Sequence, residues 1–407
     1  MMAEPAWQRF YPAGVRADYV PPQMRLSEMF IALVERYADR IALDYRDFRM
    51  SYRALGREAA RVADALRRQG IGKGDTVALY LPNTPFHPVF FFGILLAGAR
   101  VTHLSPLDAF RELSQKCEDS GARLLVSLAA MPFRDVAIRL HTEGCVPAVI
   151  LCDEDAAFGP LPGIPPAPLP PLPAGIVTDT VFLDGASEIL RAEPGDIHEI
   201  ALLQYTGGTT GRPKAAIHTH ASLSAAVNSY LEWFRADPNS GPEAVVMLVL
   251  PLFHIMALVA ILLRRLCDGA RLVIHQRFDV ERVLDRVEHV GRHDVAVDLR
   301  QLAGARGQSG HRAFGPEVSR QQRPRHAPVA GRQRMVGRLH GRVERDAHQA
   351  ASRRGRSRLR PRQITSSRSG SSSSAPMRRV GAARPPVRRS SARTRASSSP
   401  VSKGLPR

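Results

Sequence analysis

The residues whose types and spacing can do chemistry are Tyr205 to Lys214, YTGGTTGRPK. Three glycines (Gly207, Gly208, Gly211), three threonines (Thr206, Thr209, Thr210) and Lys214 fall within this one short stretch. Apolar runs bracket it, Ile200 to Leu203 before and Ala215 to Ile217 after, which describes a flexible loop between two strands. Such a loop is suited to phosphate. Glycines let backbone N–H groups turn toward an anion, threonine hydroxyls add neutral donors, and Lys214 brings a positive charge on a long stem. The spacing Gly208-x-x-Gly211-x-x-Lys214 is not that of the G-x-x-x-x-G-K-[ST] loop that opens a helix. Composition alone also fits a solvated Gly/Thr turn of a hairpin.

The whole string is more specific than its composition. It resembles the phosphate-binding loop of the adenylate-forming enzymes, the AMP-binding acyl-CoA synthetases, which reads approximately [ST]-[SG]-G-T-T-G-x-P-K-G. Tyr205 ahead of Thr206, with the pair Thr219 and His220 downstream, is most similar to bacterial long-chain fatty-acid and dicarboxylate CoA ligases. Ala215 stands where that family usually has glycine. Two earlier segments resemble the same family in the right order: Met50 to Leu55, MSYRAL, its T-Y-x-E-L element, and Leu95 to Pro106, LLAGARVTHLSP, its L-x-A-G-A segment ending in proline. Pro251 to Leu258, PLFHIMAL, resembles the next motif, in which an aromatic or histidine side chain lies between the nucleotide site and the acyl pocket. By residue type alone His254 reads as a satisfied core histidine beside an apolar helix.

The resemblance covers about residues 20 to 290 and implies an AMP-forming acid–thiol ligase with ATP, Mg²⁺ and coenzyme A as cofactor and co-substrates, acting on a fatty or other carboxylic acid. It implies that Thr206, Thr209, Thr210, Lys214 and the backbone of Gly207, Gly208 and Gly211 hold the β- and γ-phosphates, and that His254 lines or gates the acyl channel. Lys214 and His254 are thus the candidate catalytic residues. After residue 290 the sequence contains no Y-G-x-T-E motif to supply the Mg²⁺ ligand and the adenine contact, and no Y-x-T-G-D segment for the ribose. The metal ligand is therefore unknown, and Lys403, the one lysine in that region, lacks the motif of the family's late lysine. The chain is therefore expected to be a truncated ligase that does not complete its reaction.

The elements that must position these residues are legible as periodic segments. Helical stripes run over Leu26 to Asp39, with Ser27 as N-cap, and over Tyr52 to Arg68, stopped by Gly70; further helices are expected at Pro85 to Ala97, Asp108 to Asp119, Met131 to His141, Ala221 to Phe234 and Phe278 to Val290. Short apolar strands alternate with them at Ile41 to Tyr45, Thr76 to Leu81, Arg100 to Leu104, Arg123 to Leu128, Ala148 to Cys152, Ile200 to Tyr205, Ala215 to Thr219, Val245 to Leu250 and Arg271 to His275. This alternation predicts an α/β fold of parallel or mixed sheets covered by helices, the N-terminal subdomains of an adenylate-forming enzyme. The expected division is a first α/β subdomain over 1–152, a proline-rich connector over 153–194 without regular structure through Gly175, an incomplete phosphate-loop subdomain over 195–290, and a remainder over 291–407.

Charge separates that remainder from the rest. Residues 291–407 hold 27 Arg and one Lys against five acids, or +23, whereas 1–290 hold 29 basic and 33 acidic residues, or −4. The remainder has one aromatic residue, Phe314, and ends in Arg/Ser/Pro/Ala runs, a composition expected to stay disordered. Its near absence of lysine and of interleaved aromatics argues against nucleic acid as partner. The alternative to the ligase reading is a non-enzymatic fragment whose basic tail meets nucleic acid or an anionic surface. Arg, Ala, Ser, Gly and Pro share GC-rich codons, so a lost reading frame near 290–298 accounts for the switch. Four cysteines without metal or paired spacing and the lack of an apolar leader over Met1 to Tyr19 fit a cytoplasmic protein, with peripheral contact at the inner membrane. Ala244 to Leu263 is apolar, but Pro251 and His254 interrupt it, so it reads as strand, loop and buried helix rather than a membrane span.

Overall fold

The computed structural model describes residues 7–160, 169–206, 213–276 and 295–296. The expected helix over 278–290 and the basic remainder lie outside the described residues.

After a short 3-10 turn (Gln8–Phe10), the chain runs α1 (Leu26–Tyr37), β1 (Ile41–Tyr45), β2 (Phe48–Ser51), α2 (Tyr52–Arg68), β3 (Thr76–Leu79), α3 (Phe86–Leu96), β4 (Arg100–His103), α4 (Phe110–Ser120), β5 (Ala122–Leu128), α5 (Phe133–Thr142) and β6 (Val149–Cys152). It continues with α6 (Glu154–Phe158), β7 (Ile176–Thr178), α7 (Asp179–Phe182), β8 (Ile200–Thr206), β9 (Lys214–Thr219), α8 (His220–Trp233), β10 (Val245–Leu248), a π-helical segment (Ala257–Leu263), α9 (Arg264–Cys267), β11 (Arg271–Ile274) and β12 (Val295–Ala296).

Two mixed sheets result. One has the order β7-β6-β5-β3-β4-β8-β9, parallel except for the β8–β9 hairpin; the other has the order β12-β10-β11-β1-β2, parallel except for β2. Each sheet draws strands from early and late parts of the described sequence: β8 and β9 extend the sheet begun by β3 to β6, and β10 and β11 pair onto β1. The sheets therefore cut across the sequence blocks 1–152 and 195–290.

The main core forms where α1, α2 and α3 lie between the sheets, α2 against β1 and β2 and α3 against β3 and β4. Every residue of α3, FHPVFFFGILL, is buried, which fits a helix with apolar neighbours on all sides. Phe92 stacks on Phe30 of α1 with ring centroids 3.9 Å apart. Gly93 lets α3 approach α2: a Cβ there would sit 2.5 Å from the Val62 side chain and 2.9 Å from the Ala59 carbonyl oxygen.

Two local expectations are corrected. Ser27 does not cap α1: Arg25 is the N-cap residue without a side-chain bond, and Ser27 is buried inside the first turn. The cap is tertiary, because the Leu26 N–H is taken by His220 Nδ1 at 3.1 Å. The segment from Asp153 is also not free of regular structure. The Asp153 carboxylate accepts the N–H groups of Asp155 and Ala156 and starts α6 before the first proline is reached. Among the described residues no helix is long and apolar enough to cross a membrane, and Ala244 to Leu263 divides into β10, a loop and the buried π-helical segment.

Candidate active site

Strands β8 and β9 pair antiparallel from Ile200 opposite Thr219 to Thr206 opposite Lys214, so Thr206 and Lys214 face each other at the neck of the glycine-rich loop. Both are exposed. Gly207, Gly208, Thr209, Thr210 and Gly211 lie outside the described residues. Ala215 pairs with Tyr205 inside the hairpin. Its φ is not positive, since among the described non-glycine residues only Arg46 and Asp47 have that geometry, so alanine fits there without backbone strain.

The root of the loop is fixed from beneath. Tyr205 is buried, and its hydroxyl donates to Asp119 Oδ2 at 2.6 Å, with the Lys116 carbonyl oxygen at 3.3 Å. Lys116 lies 5.6 Å from the Tyr205 ring centroid and pairs with Asp108 at 2.6 Å. Burial first, and then the bond to Asp119, raise the Tyr205 pKa, so the phenol remains a donor. On the far side of the hairpin, Thr219 and Ser222 form a reciprocal capping box that starts α8 directly from β9.

His254 lies in the turn between β10 and the π-helical segment and is exposed, not a core histidine. Its ring is 4.6 Å from that of Phe253, and its backbone N–H donates to the Pro251 carbonyl at 3.0 Å. Two polar side chains hold this turn. Asn83, after β3, donates to the carbonyls of Leu250 (2.9 Å) and His275 (3.2 Å) and accepts the Leu252 N–H (2.8 Å). Gln204, in β8 just ahead of Tyr205, donates to the Phe253 carbonyl at 2.9 Å. Asn83 thus joins the C-terminal ends of strands from the two sheets, the position where open α/β sheets bind ligands.

Behind Gln204 is a buried histidine pair. His103 Nδ1 is 3.2 Å from Gln204 Oε1, and the His103 ring is 4.9 Å from that of His87. Burial holds both histidines neutral, His103 at about 4 and His87 well below its ordinary value. Sequence reasoning missed Asn83, His87, His103 and Gln204. The available signal was a polar residue inside an otherwise apolar run, ALLQY for Gln204 and PFHPVFFF for His87.

Among the described residues no group of three or more His, Cys, Asp or Glu could hold a metal ion. Asp119, at the loop root, accepts the Tyr205 hydroxyl through Oδ2. The described side chains therefore offer no Mg²⁺ cage.

A family model described as "AMP-binding enzyme" matches residues 30–297, about two thirds of the chain. The chain belongs to the AMP-binding enzyme family. Among curated members of this AMP-binding family, the long-chain-fatty-acid–CoA ligase of Yersinia pestis is 34% identical over 267 residues, covering 63% of this chain and 47% of the relative. The 4-coumarate–CoA ligase 3 of rice (Oryza sativa subsp. japonica) is 30% identical over 256 residues, covering 61% and 40%. In the apo structure of Mycobacterium smegmatis MbtA, 27% identical, the superposition covers 67% of this chain and 48% of that one with a TM-score of 0.55. This AMP-binding chain spans about half the length of the curated relatives it matches.

Proposed function

We propose that residues 30–297 are the nucleotide-phosphate-binding part of an ATP-dependent acid–thiol ligase of long-chain fatty-acid or related carboxylic-acid type. The observation that carries this reading is the YTGGTTGRPK loop set on the β8–β9 hairpin, within an AMP-binding match running through 297. Relatives named as fatty-acid and coumarate ligases support the reaction class and leave the acid open.

In this reaction a carboxylate oxygen bonds to the α-phosphorus of ATP and the bond to pyrophosphate breaks, giving an acyl-adenylate. The thiol of coenzyme A then bonds to the acyl carbon, its proton passes to solvent, and AMP leaves. Attack of one anion on another requires neutralisation and alignment. Lys214 supplies a cation at the loop neck, Thr206 a hydroxyl beside it, and His254 lies where the acid would enter along the turn held by Asn83 and Gln204. The protein is cytoplasmic in this reading, with peripheral contact at the inner membrane when it meets long-chain acids.

The test is nucleotide binding by the purified chain, followed by ATP–pyrophosphate exchange and thioester formation with a panel of fatty and aromatic acids. Saturable ATP binding without thioester synthesis is expected, because the sequence after 290 carries none of the later motifs. Absence of ATP binding refutes the phosphate-binding role proposed for residues 30–297; robust thioester synthesis refutes the expectation that the reaction stays incomplete.

A further inference from the structure

We propose that Gln204 is a positioning residue that fixes both the proton placement of His103 and the orientation of the Phe253–His254 turn. The orientation of its amide follows from its partners. A backbone carbonyl only accepts, so the group 2.9 Å from the Phe253 oxygen is the amide NH₂. The Gln204 oxygen then faces His103 Nδ1 at 3.2 Å, and that nitrogen must carry the proton. Neutral His103 is thereby the Nδ1–H tautomer, and its Nε2 lone pair is buried beside His87 without a hydrogen-bond partner among the described residues.

Both bonds are buried, with Gln204 6% and His103 2% exposed, so water does not compete for them. Gln204 also belongs to the strand that enters the phosphate loop, while its second bond holds the residue next to His254. One side chain therefore ties the loop root to the turn of the proposed acid channel. Asn83 holds the earlier part of the same turn, Leu250 and Leu252, while Gln204 holds the Phe253 carbonyl, in the same peptide unit as the His254 N–H. The functional meaning of this tie rests on the ligase reading, because that reading places His254 at the acid channel; the positioning itself does not.

The test is imidazole ¹⁵N spectroscopy of the full 407-residue chain labelled at histidine, with wild type, Gln204→Met and His103→Phe compared near neutral pH. In wild type, His103 should show a protonated Nδ1 and a bare Nε2. Gln204→Met keeps the volume and removes both bonds. It should shift His103 away from the pure Nδ1–H form, move the His254 ring signal, and speed amide exchange of His254 by roughly tenfold, the scale of one buried hydrogen bond. His103→Phe should leave His254 exchange within about twofold, since the bond to Phe253 survives.

An Nε2–H tautomer in wild type overturns the proposal. So does an unchanged His254 in Gln204→Met. If Gln204→Met fails to fold, the wild-type tautomer and the His103→Phe exchange still decide it. ATP binding measured on the same samples reports on the proposed phosphate-binding role separately: a chain that binds no ATP but shows these signatures keeps the positioning and loses that role.

Discussion

His220 Nδ1 accepts the backbone N–H of Leu26 at 3.1 Å, tying the first residue of α8 to the first residue of α1 across 194 positions of sequence. A protonated Nδ1 cannot accept, and burial together with nearby Arg25 holds the His220 pKa at about 4, below its ordinary 6.5. The unfolded chain binds the proton that the folded chain refuses. Stability is therefore full above about pH 6.5 and is lost as pH falls toward 4. His103, also held at about 4, acts in the same direction. Each contributes on the order of 2–3 kcal/mol over that window. Urea unfolding should show the midpoint falling between about pH 7 and about pH 5. His220→Asn, whose side-chain oxygen can still accept the Leu26 N–H, should be less acid-sensitive than wild type; an equal acid slope rejects the assignment.

Tyr205→Phe should destabilise the chain by about 0.5–1.5 kcal/mol, because it removes the bond to Asp119 while the exposed carboxylate can still be solvated by water. Chemical denaturation measures this. Combination with Asp119→Asn should cost less than the sum of the two single changes, the mark of a direct bond.

Lys214→Ala should weaken ATP binding by about 10- to 100-fold in equilibrium dialysis, the range for loss of one charge-assisted contact to phosphate. Lys214 is exposed and its backbone lies in β9, so the thermal midpoint should stay within a degree or two of wild type, as for other surface substitutions. A matched fall in midpoint would make Lys214 a structural residue.

Gly93→Ala should cost about 3 kcal/mol or abolish soluble expression, since the added Cβ meets Val62 at 2.5 Å and the Ala59 carbonyl at 2.9 Å where α2 and α3 touch. Adding Val62→Ala opens room beside it and should recover part of the loss. Recovery would show up as a higher yield of folded protein, and none would mean that the backbone contact dominates.

The gene itself carries a further test. Read past codon 290 in the other two frames, it should encode ligase-like sequence with a Y-G-x-T-E motif. If neither frame does, the loss of frame is rejected and the Arg-rich stretch belongs to the intended product.

Much of this protein is written locally. Most helices and strands from Leu26 to Ile274 follow from apolar periodicity with breaks at Gly and Pro, though β2, α6, β7 and α7 do not, and the loop at Tyr205 to Lys214 is legible because its glycines, threonines and lysine are contiguous. Expectation failed where a distant partner replaced a local one: Ser27 was not needed as a cap because His220 supplies the acceptor.

The sequence by itself determined most of the elements, the family loop and the change of composition after residue 290. Only the tertiary structure decided that β1 pairs with β11 and β4 with β8, and that Asn83 and Gln204 hold one turn at Leu252 and Phe253 with His103 behind Gln204. The physical reason is range. A helix closes its hydrogen bonds within four residues, so neighbouring residues specify it. A sheet closes its bonds, and a buried amide finds its partners, across hundreds of residues, where burial of apolar faces and the pairing of polar groups set the answer together.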